Sequence, residues 1–125
     1  MAGWTFYDYV EASGRSPFAE WLSALPAEAQ AFIDNRLLQM RGMVRWPEKW
    51  ASKYHGTEKL IELRIPYNKV QYRPLGITRP GWIFVLLAGA IERNGKIPQD
   101  TIDAAVKRQK MVEGDQSHVR RHQFN

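Results

Sequence analysis

Residues 58–98, EKLIELRIPYNKVQYRPLGITRPGWIFVLLAGAIERNGKIP, decide the fold of this chain. Three strand-like runs separated by turn sequences predict an antiparallel sheet. Side chains alternate between the two faces of a strand, so the first run, 59–65, places its isoleucines and its second leucine on one face. Glu62 and Arg64 then share the other face. The sheet should therefore pack a core on one face and carry charge on the other.

The second run, 69–75, predicts the antiparallel partner of the first. It follows a turn at residues 66–68, where proline and asparagine favour chain reversal. The alternation puts Arg73 on the charged face together with Arg64. A pair of arginines on one sheet face suits the binding of phosphate.

The third run, 82–87, is nearly all apolar and predicts a central strand covered on both faces. A turn at residues 78–81 precedes it. The Asn94-Gly95 pair after it is a strong turn signal. Arg93 and Lys96 flank that turn and add positive charge to this end of the sheet.

The N-terminal part predicts one strand followed by two helices. Residues 4–10 alternate aromatic and polar side chains, which favours a strand. Ser16-Pro17 is typical of an N-cap and a first helical position. A second helix should run from Pro26 to about Gly42, so that the two helices form a hairpin over the sheet. Residues 46–56 have no clear period and predict a loop.

The C-terminal part predicts one helix from Pro98 to about Met111, with acidic residues near its start and basic residues near its end. Residues 114–125 are polar, which predicts a mobile basic tail after a single domain at 1–113. The order is strand, two helices, three strands, helix. Grouped helices of this kind indicate the α+β class, here a small antiparallel-dominated sheet.

Composition narrows the possible functions. The chain has 125 residues, a net charge of +5 at pH 7, and a hydrophobic content of 44%, which fits one folded domain with polyanionic partners. It lacks cysteine, which excludes disulfides and thiolate metal sites and suits the cytoplasm. The apolar run at 82–91 is too short for a membrane helix. The first fourteen residues lack the pattern of a signal peptide.

This ordered set of segments resembles the RelE/ParE toxin superfamily, in particular its phage-derived HigB-like branch. The resemblance covers residues 4–111. The segments that carry it are Phe18-x-x-Trp21-Leu22-x-x-Leu25-Pro26, Leu60-x-Glu62-Leu63-Arg64, Tyr72-Arg73, Phe84-Val85-Leu86-Leu87, the turn with Lys96, and Ile102-x-x-Ala105.

The resemblance implies a RelE-like fold and a toxin of a type II toxin-antitoxin system. Such toxins cleave messenger RNA, usually in the ribosomal A site, without a cofactor, and thereby inhibit translation. It also implies a partner, a helix-turn-helix (HigA-like) antitoxin encoded next to the toxin gene. The HigB-like pattern has a His-Gly-Phe-x-Lys-Lys type segment after the last long strand. Residues 88–96 instead read AGAIERNGK, which lacks the histidine and adds Glu92.

The predicted chemistry is attack of an RNA 2′-hydroxyl on the adjacent phosphorus. Arginine stabilises the charge that develops on the phosphate because its planar fork binds two oxygens and stays charged. We therefore predict Arg64, Arg73 and Lys96 as catalytic residues. Predicted RNA-binding residues are Lys59, Arg93 and His55. We predict no metal, since the three histidines are not spaced with acids as ligands.

Other interpretations remain open on the sequence alone. The strand arginines could be solvated, or Glu62 could pair with one of them. A ParE-like protein that poisons DNA gyrase would share the fold without cutting RNA. A degenerate, non-catalytic RNA-binding homologue would do neither, and the altered segment at 88–96 is the feature that favours it.

Overall fold

The computed structural model describes residues 3–57 and 59–124 and has an α+β fold. In this part of the chain, three α-helices pack on a seven-stranded sheet. The elements are β1 (Thr5–Tyr9), α1 (Pro17–Ser23), α2 (Ala27–Arg41), β2 (Ala51–Lys53), β3 (Ile61–Leu63), β4 (Ile65–Tyr67), β5 (Val70–Arg79), β6 (Ile83–Glu92), α3 (Gln99–Gly114) and β7 (Val119–Arg121). None of these helices is long and apolar enough to cross a membrane.

The sheet is mixed and mostly antiparallel. Its strands lie in the order β2-β3-β5-β6-β1-β7, and β4 also pairs with β5. Strand β1 runs parallel to β6, with Thr5 opposite Ile83, and the other pairs are antiparallel. The predicted α+β class and the predicted dominance of antiparallel pairing are therefore confirmed.

Strand β6 separates two cores. Phe84 and Leu86 face the core under α1 and α2, whereas Val85 and Leu87 face the core under α3. This division follows from strand alternation, and all four side chains are at most 1% exposed. The predictions of a central strand covered on both faces and of a helical hairpin on one face are confirmed.

Local sequence signals act at the expected ends of elements. The Ser16 side chain accepts a hydrogen bond from the Ala19 N–H at 3.1 Å and caps α1, which begins at Pro17. The Asn94-Gly95 turn has φ values of 52° and 74°. The hairpin between β4 and β5 turns at Asn68-Lys69 rather than across the predicted residues 66–68. Both residues adopt the positive φ that a two-residue hairpin turn requires.

Two strand predictions need correction. The predicted loop at 46–56 contains β2, which pairs with β3 as an edge strand. The predicted strand at 59–65 is divided into β3 and β4 at Arg64. The Arg64 N–H donates to the Trp50 carbonyl at 2.7 Å. Pro74 on the neighbouring strand β5 has no N–H that could pair with this segment. The ladder between β3, β4 and β5 is therefore interrupted at this point.

The prediction of a mobile tail is wrong for residues 116–124, which fold against the sheet. A short 3₁₀ turn at Gln116–His118 leads into β7, which pairs with β1 at the sheet edge. The His122 N–H donates to the Phe6 carbonyl at 2.9 Å, and the His122 side chain is buried. Because this buried contact lies after residue 113, the folded unit extends beyond the predicted boundary.

Candidate active site

Charged side chains of β3, β5 and β6 converge on the α3 face of the sheet, beyond the N-terminal end of α3. The register explains this convergence. Glu62 lies opposite Leu75, and Gln71 lies opposite Glu92. Arg73 is two residues from both Gln71 and Leu75, so strand alternation puts its side chain on the same face.

Arg73 joins two carboxylates. Its Nε lies 3.4 Å from Oε2 of Glu62 and 3.1 Å from Oε1 of Glu92. Arg64 contacts the same Glu62 oxygen, with its Nε 3.1 Å away. The four side chains form one network of two arginines and two glutamates, which we call the acid–arginine cluster. Ion pairs this poorly solvated need both partners, because a lone buried charge is costly.

Each nitrogen of the Arg73 guanidinium donates a hydrogen bond within the protein, and the bond from Nε goes to Glu92. Beyond the carboxylates, Nη1 donates to the Tyr72 carbonyl at 3.2 Å and Nη2 donates to Oε1 of Gln71 at 3.3 Å. The side chain is only 8% exposed. In this arrangement Arg73 orients the two carboxylates, and little of its guanidinium is accessible to a phosphate.

An open groove of about 340 Å³ runs past the cluster. Its ionisable lining consists of two carboxylic acids, Glu62 and Glu92, together with Lys96 and Tyr54. Such a set offers proton acceptors, a cation and a proton donor within one surface depression. Because this groove runs past the acid–arginine cluster, we call it the acid–arginine groove. It is suited to acid–base chemistry on a polar substrate.

The turn after β6 fixes Lys96 at the groove. The N–H of Arg93 donates to the Lys96 carbonyl and the N–H of Lys96 donates to the Arg93 carbonyl, both at 2.9 Å. The buried Ile97 anchors the chain directly after the turn. Lys96 therefore lines the groove on a defined backbone, while Arg93 is exposed beside it.

The predicted site residues are only partly brought together. Arg64 and Arg73 share the acid–arginine cluster, and Lys96 lines the groove beside them. Lys59 instead pairs with Glu113 of α3 at 2.9 Å, in a different groove. His55 is exposed in the loop after β2 and does not line the acid–arginine groove.

Sequence reasoning missed the groove's Tyr54 and the possible role of its two carboxylates. Tyr54 lies in a stretch with no period, so no pattern singled it out. Glu62 and Glu92 entered only as possible charge partners, although Glu62 shares its strand face with Arg64. Across the described residues, no group of three or more His, Asp or Glu side chains is arranged to hold a metal ion.

A second charged cluster lies elsewhere, fully enclosed. His122 Nδ1 is 2.9 Å from Oδ1 of Asp8 on β1, and its Nε2 is 3.0 Å from Oδ1 of Asp34 on α2. Burial disfavours a charged imidazole, but the hydrogen bonds and charges of Asp34 and Asp8 outweigh it and raise the pKa of His122 to about 9. At neutral pH His122 is a cation that ties the C-terminal segment to the sheet and to α2.

Fold and groove together describe a small α+β protein with a groove on one sheet face that is lined by two carboxylates, a lysine and a tyrosine. Residues 20–110 match the sequence model of the phage-derived protein Gp49-like family (DUF891). Because the match spans most of the chain and contains every residue of the acid–arginine groove, the chain belongs to this toxin-like family. No curated protein matches the chain at a significant level.

Proposed function

We propose that this protein is the toxin of a type II toxin-antitoxin system, from the HigB-like branch of the RelE/ParE superfamily and with its RelE-like fold. It acts in the cytoplasm as an endoribonuclease that cuts messenger RNA on the ribosome and stops translation. Membership of the Gp49-like family supports the toxin assignment. The observation that carries the nuclease assignment is the open groove where Arg73 holds two carboxylates beside Lys96.

The first chemical step is removal of a proton from the RNA 2′-hydroxyl. The resulting oxygen attacks the adjacent phosphorus, and the bond from phosphorus to the 5′-oxygen breaks. Glu92 is the better candidate base, because its side chain is 25% exposed whereas that of Glu62 is 11% exposed. A base must reach its proton, and the more accessible carboxylate meets that condition.

The second requirement is stabilisation of the negative charge that gathers on the phosphate. Lys96 lines the groove, and Arg64, whose side chain is 36% exposed, contacts the groove-lining Glu62. Both cations can approach a phosphate, whereas Arg73 is enclosed and acts as a positioning residue for the carboxylates. Preorganised charges of this kind can supply several kcal/mol of transition-state stabilisation.

The leaving 5′-oxygen must take up a proton. Lys96 and Tyr54 are the groove-lining donors available for this step. The products are a 2′,3′-cyclic phosphate and a free 5′-hydroxyl. The proton taken by the carboxylate and the proton given by the donor balance, and exchange with water restores both groups.

The proposed partner is a helix-turn-helix (HigA-like) antitoxin encoded beside the toxin gene. A translation-blocking nuclease needs such an inhibitor to be tolerated by the cell that makes it. The net charge of +5 fits a protein that approaches the ribosome and its messenger RNA. The mechanism draws on the chain's own side chains and on no cofactor.

The test is controlled expression followed by mapping of transcript ends. Wild-type protein should halt translation and produce transcript ends in phase with codons, and Glu92→Gln should lower cutting by about 10²-fold or more because it loses the base. Glu28→Gln changes an exposed glutamate in the first turn of α2 and serves as the matched control. It should cut as well as the wild type.

Other results would point elsewhere. Uncut transcripts together with early DNA damage signalling would support the gyrase-poison alternative. Harmless expression of a folded protein would support the non-catalytic alternative. Full toxicity of both Glu92→Gln and Arg73→Ala, with normal circular dichroism, would refute the assignment of the site.

A further inference from the structure

A second groove lies at the other end of β5, alongside the C-terminal part of α3. It has a volume of about 390 Å³. Its charged lining comes from β2, the segment before β3, the end of β5 and α3. These side chains are Lys53, Lys59, Arg79 and Glu113. We call this surface the basic groove.

The basic groove carries more positive than negative charge. Lys59 Nζ bonds Oε2 of Glu113 at 2.9 Å. This hydrogen bond lowers the pKa of Glu113, and the charge of Arg79 adds a smaller effect in the same direction. Within the described part of the chain, no carboxylate lies within the 4.0 Å ion-pair distance of Lys53 or Arg79. Among the described residues that line the groove, one carboxylate therefore faces three cations.

The basic groove and the acid–arginine groove lie on the same face of the sheet, at opposite ends of β5. Arg73 and Arg79 lie on one strand and, by alternation, on the same face; at about 3.3 Å per residue they are roughly 20 Å apart. One phosphate group cannot reach both places, but a polymer with regularly spaced phosphates can. The apolar side chains of Ile61, Ile77 and Pro80 provide a wall against which sugars and bases can pack.

We propose that the basic groove binds backbone phosphates of the same single-stranded RNA, several nucleotides from the bond that is cut. The inference rests on the proposed function in that it takes RNA as the ligand. An acidic protein segment could also meet three cations. RNA is favoured because the two grooves open on the same sheet face, on either side of the buried Leu75, at a separation that a chain of phosphates can span.

The experiment measures binding of a labelled single-stranded RNA with 2′-O-methyl groups, which cannot be cut, to the full chain carrying Glu92→Gln. Fluorescence anisotropy over a range of salt concentrations gives the slope of log affinity against log salt. In this background, Arg79→Gln and Lys53→Gln should each make the slope shallower by about 0.7, the value for one lost phosphate contact on a single strand. Lys107→Gln, an exposed lysine of α3 outside the groove, should leave it unchanged.

The outcomes separate this proposal from the proposed function. Slopes that stay the same in both groove variants, with wild-type thermal melting, would overturn the proposal even if transcripts are cut in cells. Shallower slopes would support it even if transcripts stay intact, in which case only the nuclease assignment fails. Poly-glutamate that binds as tightly as RNA and shows the same loss of slope would assign the groove to an acidic protein segment and overturn the proposal.

Discussion

Deprotonation of His122 should destabilise the protein by about 3 kcal/mol. Asp34 and Asp8 raise the pKa of His122 from its ordinary value of 6.5 to about 9, and each pKa unit corresponds to about 1.4 kcal/mol. The folded state binds this proton more tightly than the unfolded chain. The stabilisation is therefore fully present below pH 6.5 and is lost as the pH rises through about 9.

Urea unfolding at a series of pH values measures this effect. The free energy of unfolding of the wild type should fall between pH 6.5 and pH 9. His122→Gln should be less stable near neutral pH because it removes the cation that Asp8 and Asp34 share. It should also lose most of the fall in stability with pH, because glutamine does not titrate. His55→Gln changes an exposed histidine and should behave like the wild type. A His122→Gln protein that keeps the full pH dependence would refute the reasoning.

Three further changes should alter the protein in measurable ways. Arg73→Gln should cost about 3 kcal/mol in urea unfolding, because it removes the cation beside Glu92 and leaves Glu62 with Arg64 alone. Adding Glu92→Gln should recover part of the loss, and no recovery would contradict the network. Gly89→Ala should lower the melting temperature, at a cost of roughly 1–3 kcal/mol, because a Cβ there would strike the Trp21 ring; an unchanged melting temperature would contradict this. Gly95→Ala should lower the free energy of unfolding by roughly 1 kcal/mol, because alanine is strained at the φ of 74° that Gly95 adopts. A variant as stable as the wild type would contradict this expectation.

Much of the fold could be predicted because its signals are local. The Ser16-Pro17 start of α1 and the Asn94-Gly95 turn depend on the chemistry of adjacent residues. The three-residue strands β2 and β7 were not predicted, since their pairing depends on distant partners on β3 and β1. Such short edge strands carry too few residues to show a period.

The candidate site was predicted to a similar extent. Strand alternation was enough to place Arg64 and Arg73 on one face. It could not show that Arg73 is enclosed, because that depends on the register that brings Glu92 beside it from β6. Nor could it show that Lys59 turns toward α3, since the contact with Glu113 joins residues far apart in the chain. Partner identity at these positions is a property of tertiary structure.

The position of β1 between β6 and β7 has a consequence for the order of assembly. During synthesis, β1 leaves the ribosome first, its parallel partner β6 much later, and β7 later still. Until residues 119–122 arrive, the outer edge of β1 has unpaired backbone groups, and Asp8 lacks the imidazolium of His122. Pairing over such long sequence separations is slow. A nascent chain should therefore assemble the core around β6 before it reaches full stability. Until β7 pairs with β1, the outer edge of β1 stays exposed.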